Sequence, residues 1–293
     1  MEPAVTSPAP PLLAEKQRAA LISLLADDDP AIYQIVRGKL LTYGQAAGHW
    51  LRPHALSDDP ILRRRAREII ALLARQTADR DFLSFCLSHG EDLDLELGTG
   101  LLAQTQFPDV HIEAYRALYD SWAGELRERI DPSADPEHIL GAINRYLFED
   151  LLFTADEEYS VHPESSYLNH VVDFRRGNPI GLCSIYLFLT RRLRLPVVGI
   201  GLPGHFICRY QSPTREIYID LFRRGRFLTK NDCIKYLLQT HHGLQEGYLA
   251  PVSPRRVLLR MCANLHSTYA HREMAEEAAR VQRYVVALTR REG

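Results

Sequence analysis

Residues 179–222 read PIGLCSIYLFLTRRLRLPVVGIGLPGHFICRYQSPTREIYIDLF and combine two hydrophobic periodicities. The part at 179–195 is strongly apolar and begins with proline, which is favourable in the first turn of a helix. The parts at 197–202, 204–210 and 216–222 are short. The first of them is rich in β-branched residues, and the other two alternate apolar with polar residues. The sequence therefore predicts a helix followed by three strands, the core of an α+β fold.

The two alternating segments are predicted to pair as an antiparallel hairpin, because QSPT at 211–214 consists of residues that favour turns. A loop at 211–214 places His205 directly opposite Asp220, with their Cβ atoms about 4.5–5.5 Å apart. Alternation also puts both side chains on one polar face of the hairpin and Cys208 on the other face. We therefore expect an imidazole and a carboxylate in contact.

A carboxylate beside an imidazole is the supporting half of a Cys-His-Asp thiol catalyst, in which the carboxylate orients the imidazole. The nucleophilic cysteine of such a catalyst gains acidity at a helix N-terminus. Cys183 is the candidate, but it lies one turn inside the predicted helix, which is an awkward position for a nucleophile. Two interpretations of His205 and Asp220 stay open: a buried hydrogen-bonded pair that holds the hairpin, or a catalytic pair, working or vestigial.

Short motifs include or flank these candidate residues. They are Gly177-Asn178-Pro179-Ile180-Gly181-Leu182, Leu202-Pro203-Gly204-His205-Phe206, Ile219-Asp220-Leu221-Phe222, Asn144-Arg145, Tyr167-Leu168-Asn169 and Tyr248-Leu249-Ala250-Pro251. Together they resemble the SirB-type transglutaminase-like family over about residues 91–290. The resemblance implies a transglutaminase-like, papain-like core joined to a C-terminal tetratricopeptide-like tail.

The resemblance also concerns the position of the nucleophile. In active transglutaminase-like enzymes the sequence corresponding to Gly177-Asn178-Pro179 usually reads Gly-x-Cys, so the nucleophile position here is Pro179, which cannot attack a carbonyl. Leu221 also departs from the usual Asp-Pro-Phe of the family. The resemblance thus implies a fold that keeps His205 and Asp220 but lacks the ordinary cysteine. Cys183 is then either a packing residue or a displaced nucleophile.

Residues 24–44 and 55–74 echo each other at an offset of 30 residues. In both copies an aspartate precedes a proline, Pro30 or Pro60, so a carboxylate can cap a helix whose first position is proline. Apolar residues follow at helical spacing, which favours stacked amphipathic helices like those of HEAT arrays. The alternative is two unrelated capped helices that look alike.

Ser253-Pro254 opens another predicted helix, and a further one ends near Leu288, which together indicate a helical hairpin. The predicted fold is therefore a mainly helical α+β fold. Its predicted segments are a flexible tail (1–16), a HEAT-like helical repeat region (17–80), a helical segment leading into the core (81–165), the transglutaminase-like core (166–250) and a TPR-like hairpin (251–293).

Composition places the chain among ordinary globular proteins, with 46% hydrophobic and 25% charged residues. Thirty-five basic against 37 acidic side chains leave a net charge of -2, which predicts no general attraction to nucleic acid or to an anionic membrane. Thirty-one of the basic residues are arginines. No apolar stretch is long enough to predict a membrane span.

The chain has five cysteines, an odd number that cannot all pair in disulfides within one chain. No two of them have the spacing of metal ligands. The histidines at 241, 242, 266 and 271 match no metal-binding motif either. We therefore expect free thiols, a cytoplasmic location, and neither a metal nor another cofactor.

The favoured interpretation is non-enzymatic: a protein or peptide partner is recognised where thiol chemistry has been lost, as in a pseudoenzyme. The alternative is a cysteine-dependent amide hydrolase or acyltransferase. In that mechanism Cys183 attacks the carbonyl carbon, His205 acts as general base and then as general acid, and Asp220 orients the imidazole.

Overall fold

The structure, a computed structural model, describes residues 13–240 and 245–290. The chain folds into two compact units. One contains the residues up to Arg80 together with Thr105–Pro108, and the other contains Asp81–Gln104 and the residues from Asp109 onwards. All residues of the candidate site lie in the second unit.

The first unit is helical. Its elements are α1 (Glu15–Ser23), α2 (Pro30–Thr42), α3 (Gln45–Leu51) and the start of α4 (Pro60–Ser88), with 3-10 turns at Leu24–Ala26 and Arg52–Leu56. Residues 1–12 of the predicted tail lie outside the described residues, and α1 begins at Glu15.

Both predicted aspartate-proline helix starts are confirmed. Asp29 accepts a hydrogen bond from the amide of Ala31 at 2.8 Å, and Asp59 accepts one from the amide of Ile61 at 2.8 Å. The hydrophobic residues that follow on α2 and α4 pack into one cluster, which includes Tyr33, Val36, Leu40, Ala66, Ile69 and Leu73. Ile32 and Leu62 are only partly buried beside this cluster. The HEAT-like repeat stays a prediction.

The second unit is also mainly helical. Its further helices are α5 (Leu95–Gln104), α6 (Ile112–Arg129), α7 (Pro136–Arg145), α8 (Glu157–Ser160), α9 (Leu168–Phe174), α10 (Pro179–Arg192), α11 (Lys230–Gln239), α12 (Pro254–His271) and α13 (Ala275–Thr289). A π-helical turn, Tyr146–Asp150, follows α7, and 3-10 turns occupy Pro163–Ser166, Leu221–Arg223 and Glu246–Leu249. Across the described ranges, no helix combines the length and apolar character needed to cross a bilayer.

Two small sheets accompany the helices. Strands β1 (Thr154–Ala155) and β2 (Arg176–Gly177) pair in parallel. The antiparallel sheet has the order β3-β4-β5-β6, and its strands are Val197–Ile200, Ile207–Gln211, Glu216–Asp220 and Arg226–Leu228. Helix α10 packs against β3 and β4. The predicted mainly helical α+β fold is therefore confirmed.

The segment 154–166, between the π-helical turn and α9, has regular structure. It contains β1, α8 and a 3-10 turn. Two hydrogen bonds hold these elements in place. The amide of Thr154 donates to the carbonyl of Arg175 at 2.8 Å, and Asp156 caps α8 by accepting from the amide of Tyr159 at 2.8 Å.

The hairpin of β4 and β5 forms as predicted, but its register differs. Gln211 pairs with Glu216, so the loop lies at 212–215 instead of 211–214. The turn closes there because the amide of Ser212 donates to the carbonyl of Arg215 at 2.8 Å, while the Ser212 hydroxyl accepts from the amide of Arg215 at 3.1 Å. His205 therefore precedes β4 and does not lie directly opposite Asp220. An even shift in register leaves each side chain on its expected face.

Arg255, in the first turn of α12, joins three helices. Its guanidinium donates to the carbonyls of Cys86 (2.9 Å) and His89 (2.6 Å) at the end of α4. It also donates to Ala287 (2.9 Å), Leu288 (3.0 Å) and Arg290 (3.1 Å) at the end of α13. Helix C-termini leave carbonyls without intrahelical partners and carry the negative end of the helix dipole. A buried cation therefore satisfies both helix ends at once.

We expect Arg255→Met to lower the free energy of unfolding by about 3 kcal/mol or more, because it leaves several buried carbonyls without donors. The neighbouring Arg256 is exposed. Arg256→Met is thus a matched control that should change the free energy of unfolding by less than about 0.5 kcal/mol. Urea denaturation followed by circular dichroism measures both variants, and equal effects would contradict the role of Arg255.

Candidate functional site

His205 lies in a turn between β3 and β4. Gly204 adopts φ +71°, a left-handed conformation that suits glycine, and a Cβ there would lie 3.3 Å from the Tyr236 hydroxyl. The amide of His205 donates to the carbonyl of Leu202 at 3.1 Å, and the Tyr236 hydroxyl donates to the carbonyl of Pro203 at 3.0 Å. The turn is thus stabilised by a hydrogen bond between its own backbone groups and by a second hydrogen bond from Tyr236 of α11.

Asp220 ends β5 and orients the imidazole. His205 Nε2 lies 3.0 Å from Asp220 Oδ1, and the side chains are 16% and 3% exposed. We assign the hydrogen of this bond to Nε2, because a carboxylate only accepts. In the neutral form of the ring the lone pair is then on Nδ1, for which the described residues provide no hydrogen-bond partner. The predicted contact between His205 and Asp220 is present, although the strands pair in a different register from the predicted one.

The turn after Asp220 is fixed by its backbone. Gly225 has φ +75°, and its amide donates to the carbonyl of Asp220 at 2.9 Å. Its own carbonyl accepts from Asn144 Nδ2 at 2.7 Å, and a Cβ at this glycine would collide with Asn144. Asp220 Oδ1 also accepts from the amide of Arg223 at 3.3 Å. Asp220 is therefore held at both its carboxylate and its carbonyl.

The pair faces a cavity of about 580 Å³. Leu202, Ile207 and Leu228 give the wall apolar contacts, and the aromatic rings of Phe222 and Tyr236 lie near the imidazole, with ring centroids 6.2 and 6.0 Å from it. The charged residues of the wall are Glu157, Asp220, Arg223, Arg226, Asp232 and Lys235. A cavity of this size and mixed lining is typical of a binding site for a small molecule or part of a peptide.

Cys183 does not reach this cavity wall. It is fully buried, and its Sγ lies 3.5 Å from the carbonyl of Phe206, to which it donates. Burial, followed by the neighbouring Cys208, raises the pKa of the Cys183 thiol well above its ordinary value. The structure therefore brings His205 and Asp220 together at the cavity and leaves Cys183 in the core.

Pro179 begins α10 beside the cavity. Asn178 caps the helix by accepting from the amide of Gly181 at 2.8 Å, which makes Pro179 the first helical residue. Gly177 pairs with Ala155, and Ala155 lines the cavity. The start of α10 thus lies next to the wall of the cavity, whereas Cys183 lies one turn further along.

Helix α11 supplies part of the wall and is not among the elements predicted from the sequence. Its start is marked by a capping box, in which Thr229 accepts from the amide of Asp232 while Asp232 accepts from the amide of Thr229. This Thr-x-x-Asp pattern could have predicted the helix. Cys233 of α11 also lines the cavity, and burial, followed by Asp232, raises its pKa to about 12. It is a protonated thiol at neutral pH.

Among the described residues, no cluster of three or more His, Cys, Asp or Glu side chains could hold a metal ion. His241 and His242 lie outside the described residues. All five cysteines of the chain are free thiols and are buried.

Comparison with known proteins defines the class. Residues 113–263, about half of the chain, match the transglutaminase-like superfamily. The chain belongs to the transglutaminase-like superfamily. A UPF0162 protein of Xylella fastidiosa is 32% identical over 197 residues, which cover 65% of this chain and 70% of the relative. The SirB-type subfamily stays a prediction.

Two further relatives extend this comparison. A UPF0162 protein of Pseudomonas aeruginosa is 33% identical over 168 residues, 55% of this chain and 61% of the relative. F-box only protein 21 of Mus musculus is 31% identical over 137 residues, 44% of this chain and 21% of the relative. No solved structure matches the chain.

We expect the folded protein to react slowly with iodoacetamide at pH 7, because the thiolate is the reactive form and burial raises the pKa of Cys183 and Cys233. Alkylation should accelerate only in strongly alkaline solution, as the pH approaches the raised values. Mass spectrometry counts the modified thiols, and the unfolded chain should react at all five cysteines. Rapid alkylation near pH 7 that is lost in Cys183→Ala would contradict this expectation.

Proposed function

We propose that this chain is a non-catalytic transglutaminase-like protein that binds a segment of a protein partner in the cavity at His205 and Asp220. The observation that carries the proposal is that the imidazole-carboxylate pair faces the cavity whereas Cys183 does not, and that Cys233, which does line the cavity, is a buried thiol whose pKa is raised to about 12. His205 and Asp220 face an open cavity, while Cys183 lies buried beneath the carbonyl of Phe206. His205 and Asp220 can therefore bind a peptide, but Cys183 is not available to attack its carbonyl and become acylated.

The cavity wall combines a hydrogen-bond acceptor with apolar side chains, a combination that suits a peptide. The free Nδ1 of His205 can accept a hydrogen bond from a peptide N–H, since Asp220 holds the ring from the Nε2 side. Leu228 and Phe222 of the wall are partly exposed and offer apolar contacts for a side chain of the partner. The F-box only protein that shares this module further supports a protein as the partner.

The alternative, amide hydrolysis or acyl transfer by Cys183, would need its sulfur within about 3–4 Å of an imidazole nitrogen. The Cys183 thiol instead has the Phe206 carbonyl as its hydrogen-bond acceptor, and its raised pKa disfavours the thiolate. No observation favours this alternative over binding.

Peptide selection on the full chain tests the proposal. Peptides are recovered from a random phage-displayed library, and their affinities are measured by calorimetry. We expect His205→Ala to weaken binding at least about tenfold, because it removes a central polar contact of the cavity. Cys183→Ala should bind like the parent chain. Peptides that bind both variants and the parent equally would place the binding site elsewhere, and loss in Cys183→Ala alone would favour the enzymatic alternative.

A second test restores the missing thiol. We expect Pro179→Cys to create a cysteine that alkylates at pH 7, because the resemblance assigns Pro179 to the nucleophile position, where a helix N-terminus and an imidazole would hold the thiol pKa below the ordinary ~8.5. Combining it with His205→Ala should slow the alkylation. An ordinary pKa in Pro179→Cys, measured by the pH dependence of alkylation, would show that Pro179 does not occupy the nucleophile position.

A further inference from the structure

A second cavity, of about 410 Å³, shares the turn 201–206 with the first. Gly201 and Phe206 line this second cavity, whereas Leu202 and His205 line the first. Its remaining wall is formed by Glu91 between α4 and α5, by the segment before α12, by one face of α12 and by the end of α13. None of its wall residues belongs to the candidate site described above.

Arginines dominate the charge of this second cavity. Arg256, Arg260 and Arg290 line it, together with Arg255, whose guanidinium is already bonded to the helix carbonyls. Within the described ranges, neither Arg256 nor Arg290 has a side-chain hydrogen bond or ion pair. Arg260 makes only long contacts, 3.4 Å to Asn264 Oδ1 and 3.5 Å to the carbonyl of Leu202. Three guanidinium groups are therefore available to a ligand.

Little negative charge opposes these arginines. Glu91 is the one acidic residue in this wall among the described residues, and its carboxylate already accepts a hydrogen bond from the Ser253 hydroxyl. The cavity thus carries an excess of positive charge in a chain whose overall charge is -2. This concentration of unpaired guanidinium groups favours a ligand with carboxylates, which arginine binds through two parallel hydrogen bonds.

The wall between the arginines is apolar. Val252, Leu259 and Ala263 are partly exposed along it. Phe206 also contributes, but it is only 3% exposed, so its ring offers no face on which a nucleic-acid base could stack. An apolar wall bordered by guanidinium groups suits a peptide whose apolar side chain stands beside Asp or Glu.

We propose that this arginine groove, formed by Arg256, Arg260, Arg290, Val252 and Leu259, binds a short acidic segment of a partner protein that also carries a large apolar side chain. The occupant's carboxylates pair with the guanidinium groups, and its apolar side chain packs on Val252 and Leu259. The volume of about 410 Å³ accommodates only a short segment of chain. This site is separate from the peptide site proposed at His205.

The test uses the full chain and a fluorescein-labelled dodecapeptide that alternates Asp or Glu with Leu and Phe. Fluorescence anisotropy at low and at moderate salt measures its affinity. We expect the affinity to fall with salt, because partly exposed charge pairs are screened. Arg256→Glu should weaken binding at least about tenfold, and Arg260→Gln should weaken it in the same direction.

The matched control is Arg64→Glu, which makes the same charge change at an exposed position of the first unit. It should leave the affinity within about twofold of the parent. Thermal unfolding checks that each variant is folded. Equal effects of Arg64→Glu and Arg256→Glu would show an unspecific charge effect and overturn the proposal. Absence of peptide binding, or tighter binding of a labelled oligothymidylate than of the peptide, would also overturn it.

Discussion

The carboxylate of Asp220 is the constraint on which the site depends. It receives His205 Nε2 at 3.0 Å and the amide of Arg223 at 3.3 Å, while the backbone carbonyl of the same residue receives the amide of Gly225 at 2.9 Å. One residue therefore ends β5, caps the following turn and orients the imidazole. Because its side chain is only 3% exposed, water cannot easily replace these donors.

The fold class and the faces of the hairpin could be predicted from the sequence, because both depend on local periodicity. The register could not, since it depends on which residues close the turn, and these are Ser212 and Arg215. His205 and Asp220 still meet because an even shift keeps both on one face and an imidazole reaches diagonally across the hairpin. The alternation of side chains was therefore enough to predict that His205 and Asp220 meet, but it was not enough to predict which residues pair across the hairpin.

The remainder of the site depends on packing between distant parts of the chain. No local pattern indicates that Asn144 supports the turn at Gly225 or that α11 covers His205 through Tyr236. The helix start at Pro179 could be predicted from the proline itself, whereas the sequence left Cys183 open between a packing residue and a displaced nucleophile. What the sequence leaves undetermined is the shape of the cavity and which charged side chains border it.

The anchoring of α13 through Arg255 has a consequence for acid resistance. Its five acceptors are amide carbonyls, which do not titrate, and the guanidinium stays protonated throughout the accessible range. The attachment of α13 to the end of α4 through this side chain therefore does not depend on the ionisation of any acidic residue.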